Sequence, residues 1–151
     1  MIAAAVVAGI IIAATFLNRP QDIIPGSNPS SGAPAPSASG PGMPFAMPSN
    51  PDAGGRWEIL NQEWVDGGVL LDVAVYADRG LVTYGFVAFQ NNGTEVLRPG
   101  ASPRQPEMGT GTLVAGSTKT GWVYIPMERG SATLILTTSG GRQISALPIK
   151  A

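Results

Sequence analysis

The sequence predicts an all-β domain, a two-sheet sandwich over residues 56–151, behind one apolar N-terminal helix and a Pro/Gly/Ser-rich tether. Three observations carry this reading. Residues 2–17 hold no charge, and Thr15 is their only polar side chain. Residues 18–55 contain 9 Pro, 6 Gly and 6 Ser but only three charges. From Arg56 onward, short β-branched and aromatic runs alternate with glycine-containing turns.

The first element is the run from Ile2 to Leu17, IAAAVVAGIIIAATFL. As a helix it would measure about 24 Å, just under a bilayer core of about 30 Å. A core helix of a small domain would show a polar face, and this run has none. A cleaved signal peptide would carry a basic leader and a small-residue cleavage site, which are missing here. The expectation is a retained single-pass anchor, with Ile10, Ile11, Ile12, Phe16 and Leu17 among its lipid-facing side chains.

The second element, residues 18–55, is too polar and too rich in turn formers to build a core of its own. It would span roughly 35 Å as a coil and about 120 Å fully extended. One patch departs from spacer composition. In Gly42-Met43-Pro44-Phe45-Ala46-Met47-Pro48, an extended backbone turns Met43, Phe45 and Met47 to one side. They are either incidental to a tether or a docking segment that lies on a partner or on the chain's own domain. The docking reading makes Met43, Phe45 and Met47 candidate binding residues.

In the third element the strand candidates are Trp57–Trp64, Val69–Tyr76, Leu81–Gln90, Thr94–Leu97, Thr110–Ala115, Thr118–Ile125, Ser131–Thr138 and Gln143–Ile149. Turn residues separate them: Asp66-Gly67-Gly68, Asp78-Arg79-Gly80, Asn91-Asn92-Gly93, Arg129-Gly130 and Ser139-Gly140-Gly141. Leu71, Val73 and Val75 share a face, as do Tyr84 with Phe86 and Leu134 with Leu136. Seven or eight short strands in about 96 residues suit a sandwich. Trp57 and Trp64 stand an odd number of positions apart, so they are expected on opposite faces, one of them a candidate interface or membrane-surface residue. Trp122 is expected in the core.

Two segments resemble telokin-like immunoglobulin domains of exported bacterial proteins. One is Leu70-Leu71-Asp72-Val73-Ala74-Val75 with Val87-Ala88-Phe89-Gln90-Asn91-Asn92-Gly93-Thr94-Glu95. The other is Leu113-Val114-Ala115-Gly116-Ser117-Thr118-Lys119-Thr120-Gly121-Trp122-Val123-Tyr124-Ile125-Pro126. The likeness covers roughly residues 69–137. It departs from the family at Ala115, where proline is usual, and through the excursion Arg98–Met108. It implies an immunoglobulin-like sandwich outside the cytoplasm, and it implies no shared catalytic residues.

Chemistry is narrowed by what the chain lacks. It has no His and no Cys, so no imidazole base, thiolate or Cys/His zinc site can come from it. Nine basic against ten acidic residues give a net charge of -1 and no footprint for nucleic acid. Glu58, Glu63, Asp66 and Asp72 show no spacing that demands a paired-carboxylate site, and are read as surface groups. Gly109–Gly116 lacks the spacing and following helix of a phosphate loop. Asn92-Gly93-Thr94 matches a glycan acceptor pattern. No metal, cofactor or small-molecule substrate is expected.

The expected function is a non-catalytic accessory or structural subunit. The anchor would hold it in the cell membrane, with the sandwich periplasmic or extracellular and docked on a larger membrane protein complex. Respiratory and photosynthetic electron transport complexes are the natural hosts. The alternatives are a pilin-like surface or filament protein, or a free anchored ligand-binding domain. The candidate partner-binding residues are Met43, Phe45, Met47, Trp57 and Trp64.

Overall fold

In the computed structural model the described residues are 40–151, and they form an all-β fold of two antiparallel sheets. The strands in chain order are β1 (Met43–Met47), β2 (Asn50–Val65), β3 (Gly68–Arg79), β4 (Leu81–Gln90), β5 (Val96–Leu97), β6 (Gly111–Val114), β7 (Thr118–Pro126), β8 (Ala132–Thr137) and β9 (Gln143–Ile149). One sheet runs β1-β2-β3-β7 and the other β5-β4-β8-β9, with β6 paired to β4. Each of the eight runs read from the sequence becomes a strand, β2 to β9. The apolar run at residues 2–17, with Ile10, Ile11, Ile12, Phe16 and Leu17, lies outside the described residues, as does most of the tether.

The sheets enclose one core. Trp57, Val69, Leu71, Val73 and Val75 of the first sheet meet Val82, Phe86, Leu134, Leu136 and Ile149 of the second. The Trp57 and Phe86 rings stand 6.3 Å apart, and Tyr84 lies 6.2 Å from Phe86. Fully burying side chains of this size contributes roughly 1.5–3 kcal/mol each.

The domain starts earlier than composition suggests. Residues 43–47 and 50–55, counted above with the tether, are strands of the first sheet. Phe45 and Met47 enter the core, whereas Met43 at the strand's start keeps 45% of its surface exposed. Proline is tolerated at Pro44 because β1 is an edge strand. The glycines that look like spacer are packing positions. A Cβ on Gly55 would fall 1.7 Å from the Tyr76 carbonyl oxygen, so only glycine lets β2 approach β3 there.

Trp57 and Trp64 do not point to opposite faces. The β2–β3 register passes from Ile59↔Val73 to Asn61↔Asp72, leaving Leu60 as an extra, bulged residue. The bulge restores parity, so Trp57 opposite Val75 and Trp64 opposite Val69 share the inner face. Trp57 is completely buried, and half-buried Trp64 packs against the same core.

Trp122 is not a core residue. Gly121, Val123 and Ile125 are the buried positions of β7, which turns Trp122 and Tyr124 to the outer face. The excursion through Arg98–Met108 runs along the β7 edge. Gly100 donates its N–H to the Tyr124 carbonyl, Met108 donates to Trp122, and Trp122 donates to Pro106, all at 2.8–2.9 Å. Arg104 then lays its guanidinium 4.7 Å over the Trp122 ring.

Candidate functional site

The first sheet has an unfinished side. β1 accompanies β2 only as far as the pair Met43↔Trp57. Beyond it, from Glu58 toward Val65, no strand lies beside that flank of β2 among the described residues. Pro41 and Gly42, just before β1, do not extend the ladder. Gly42 has a φ of 98°, a conformation that favours glycine, and Pro41 has no N–H to extend the ladder. Arg56 Nη1 donates to the Pro41 carbonyl at 2.9 Å and draws the backbone across the outer face.

At its far end the flank is closed by the chain's C-terminal residues. The Gln62 carboxamide donates to the Lys150 carbonyl and accepts the Lys150 N–H at 3.0 Å, as a neighbouring strand would. The Trp64 indole N–H donates to the same carbonyl at 3.1 Å. Between the β1 start and this closure lies a shallow groove of about 430 Å³, lined by Met43, Pro44, Ile59, Leu147 and Pro148 among others. A second hollow of about 270 Å³ adjoins it across Ile59 and Pro148, with Leu60 and Lys150 on its wall. Leu60, at 49% exposed, is the apolar side chain that the bulge presents to solvent here.

The outer face of the same sheet is occupied by arginine–carboxylate–aromatic clusters. Asp78 is itself a bulged residue, because the register passes from Gly54↔Arg79 to Gly55↔Ala77. This aims its carboxylate at Arg56, which grips it through Nε at 2.9 Å and Nη2 at 3.0 Å. Arg56 also lies 4.7 Å over the Tyr76 ring, and Tyr76 donates its hydroxyl proton to Glu58 at 2.8 Å. The Asp78 hydrogen bond raises the Arg56 pKa against the opposing effect of burial. The hydrogen bond to Glu58, aided by burial, raises the Tyr76 pKa above its ordinary value. At the other end Arg104 pairs with Glu63 at 2.6 Å, both half-exposed. These groups hold one another, and among the described residues no three acidic groups gather to hold a metal ion.

The residues singled out from the sequence therefore separate. Phe45, Met47 and Trp57 are core and unavailable to a partner, Trp64 is half-buried beside Lys150, and Met43 lines the groove. Leu60, Ile59, Leu147 and Pro148 join Met43 there without having been anticipated. The adjacent pair Ile59-Leu60, which breaks the alternation of β2, was the sequence signal for both bulge and exposed side chain. A further open cleft of about 640 Å³ lies at one end of the sandwich, between Trp64, Gly67, Gly68, Met127, Glu128 and Arg129. No family model, curated protein or solved structure matches this chain.

Proposed function

We propose that this chain is a non-catalytic accessory subunit whose sandwich docks on a larger membrane assembly through the open flank of β2. The observation that carries the reading is the juxtaposition of the β2 flank at Glu58–Asn61, which no strand covers among the described residues, with the apolar rim of Met43, Ile59, Leu60, Leu147 and Pro148. An exposed strand edge beside apolar pockets suits an extended segment of a partner, with backbone hydrogen bonds for affinity and side-chain pockets for selectivity. The bulge at Leu60 interrupts a flat edge, which works against pairing between identical copies.

The anchor and tether belong to the same reading. Residues 2–17 would fix the chain in the membrane, and the Pro/Gly/Ser-rich stretch would leash the domain on the extracytoplasmic side. Such a leash raises the local concentration of partner, so a modest contact at β2 suffices. The two family-like segments fall on β3–β4 and on β6–β7, which supports an immunoglobulin-like exported domain as part of this proposal.

Mild-detergent purification of the full chain with a comparison variant tests the proposal. Wild type should carry a partner at fixed stoichiometry, and Met43→Ser with Leu60→Lys should lose it while keeping its unfolding midpoint. A wild-type chain that elutes alone as a monomer would favour a free ligand-binding domain, with the Trp64–Arg129 cleft as its site. Polymers would favour the filament reading.

A further inference from the structure

Asn92 is chemically unlike the other asparagines of the described domain. Asn50 accepts the Asp52 N–H at 3.3 Å, Asn61 accepts the Gln62 N–H at 2.9 Å, and Asn91 accepts the Thr133 hydroxyl at 3.1 Å. The Asn92 carboxamide has no hydrogen-bond partner among the described residues. It sits in the turn between β4 and β5, inside the continuously exposed stretch Asn91–Val96. It is also the one followed by glycine: Pro51 follows Asn50, Gln62 follows Asn61, and Asn92 follows Asn91. No heavy atom outside its chain neighbours comes within 3.8 Å of where a Cβ on Gly93 would lie. A single turn hydrogen bond holds its amide, Gly93 N–H to the Gln90 carbonyl at 3.1 Å.

We infer that Asn92 is a site of spontaneous conversion to aspartate and isoaspartate, with water as the only co-reactant. The Gly93 amide nitrogen, losing its proton to solvent base, attacks Asn92 Cγ. The new N–Cγ bond forms as the Cγ–Nδ2 bond breaks, and Nδ2 of Asn92 takes a proton from solvent and leaves as ammonia. Water then opens the five-membered imide at either carbonyl, giving aspartate or an isoaspartyl linkage routed through the side chain. Glycine favours the step because it lacks a Cβ to obstruct ring closure and its backbone adopts the required conformations freely. Pro51 has no N–H and forbids the same path at Asn50. Either product adds a negative charge near Glu95, and the isoaspartyl form lengthens the turn that leads into two-residue β5.

The test is peptide mapping by mass spectrometry of the full chain in mild detergent, aged in warm, mildly alkaline buffer. The expected result is replacement of NH by O at Asn92, with isoaspartate detected by enzymatic carboxyl methylation, and no change at Asn50, Asn61 or Asn91. Gly93→Ala, which the open space accommodates, should keep the unfolding midpoint and lose the product. An Asn92 that stays intact in the folded chain while the urea-unfolded chain converts would overturn the inference, because the Gln90 hydrogen bond would then lock the turn. So would a glycan on Asn92 in the chain isolated from its source, since Asn92-Gly93-Thr94 is also an acceptor pattern.

Discussion

Trp57 and Trp64, seven positions apart on one strand, present their rings to the same interior because Leu60 between them is looped out of the β2–β3 ladder. One residue thus does two things. It keeps both indoles on the buried face, and it places an apolar side chain on the flank where β2 lacks a neighbour among the described residues. Neither removing the residue nor changing its side chain should therefore disturb the buried face. Deleting Leu60 joins Ile59 to Asn61 opposite the same partners, Val73 and Asp72, so both indoles stay inside and urea unfolding should remain cooperative; loss of the cooperative transition would contradict the bulge. Leu60→Lys leaves the bulge and should move stability by no more than about 0.5 kcal/mol.

The N-terminal edge strand belongs to the folded unit. Phe45→Ala or Met47→Ala should cost about 2–5 kcal/mol by opening a cavity under β1. Met43→Ala, at a position 45% exposed, should cost far less. Chemical denaturation of the three variants separates them. Equal effects at all three positions would mean that β1 does not pack as described.

Alkaline pH should weaken the domain through Tyr76. Its pKa is raised in the folded state, first by the Glu58 hydrogen bond and then by burial, so the folded chain holds the phenolic proton more tightly than the unfolded chain. That contribution is complete below the ordinary tyrosine pKa of about 10, and is lost as pH climbs through the raised value. Burial raises Tyr84 in the same direction. Unfolding midpoints measured across alkaline pH should fall for wild type and fall less for Tyr76→Phe. An identical slope in the variant would remove Tyr76 from the explanation.

Topology can be read with one cysteine, because the chain has none of its own. Ser139 is exposed in the turn between β8 and β9. Ser139→Cys should react with a membrane-impermeant maleimide in intact cells. Labelling only after permeabilisation would put the domain on the cytoplasmic side.

The strands were legible because their hydrophobic alternation and glycine turns are local signals, and Leu81–Gln90 and Gln143–Ile149 match to the residue. Phe45 and Met47 lie on the chain's own domain, one of the two docking surfaces offered for that patch, but the start of β2 was not legible, since Gly54 and Gly55 read as spacer until β2 and β3 are seen pressed together at that point. Opposed Trp57 and Trp64 followed from strict period-two counting, which a single bulge defeats. Trp122 was assigned to the core for its size. Its position is set instead by neighbours Val123 and Ile125, with Arg104 from a distant loop covering the ring. The open flank could not be read from sequence, because its openness depends on where β1 stops and on Gln62 meeting Lys150 across 88 positions.

The most direct measurement is backbone hydrogen exchange at Ile59, Leu60 and Asn61, compared between the isolated chain and the chain in its detergent-purified assembly. These amides lie on the stretch of β2 that has β3 on one side and, among the described residues, no strand on the other. Docking of a partner strand should slow exchange of those directed to the open flank, leaving exposed amides such as those of the Ser139–Gly140 turn unchanged. Equal exchange in the two states, with the partner demonstrably bound, would contradict the assignment of β2 as the docking edge.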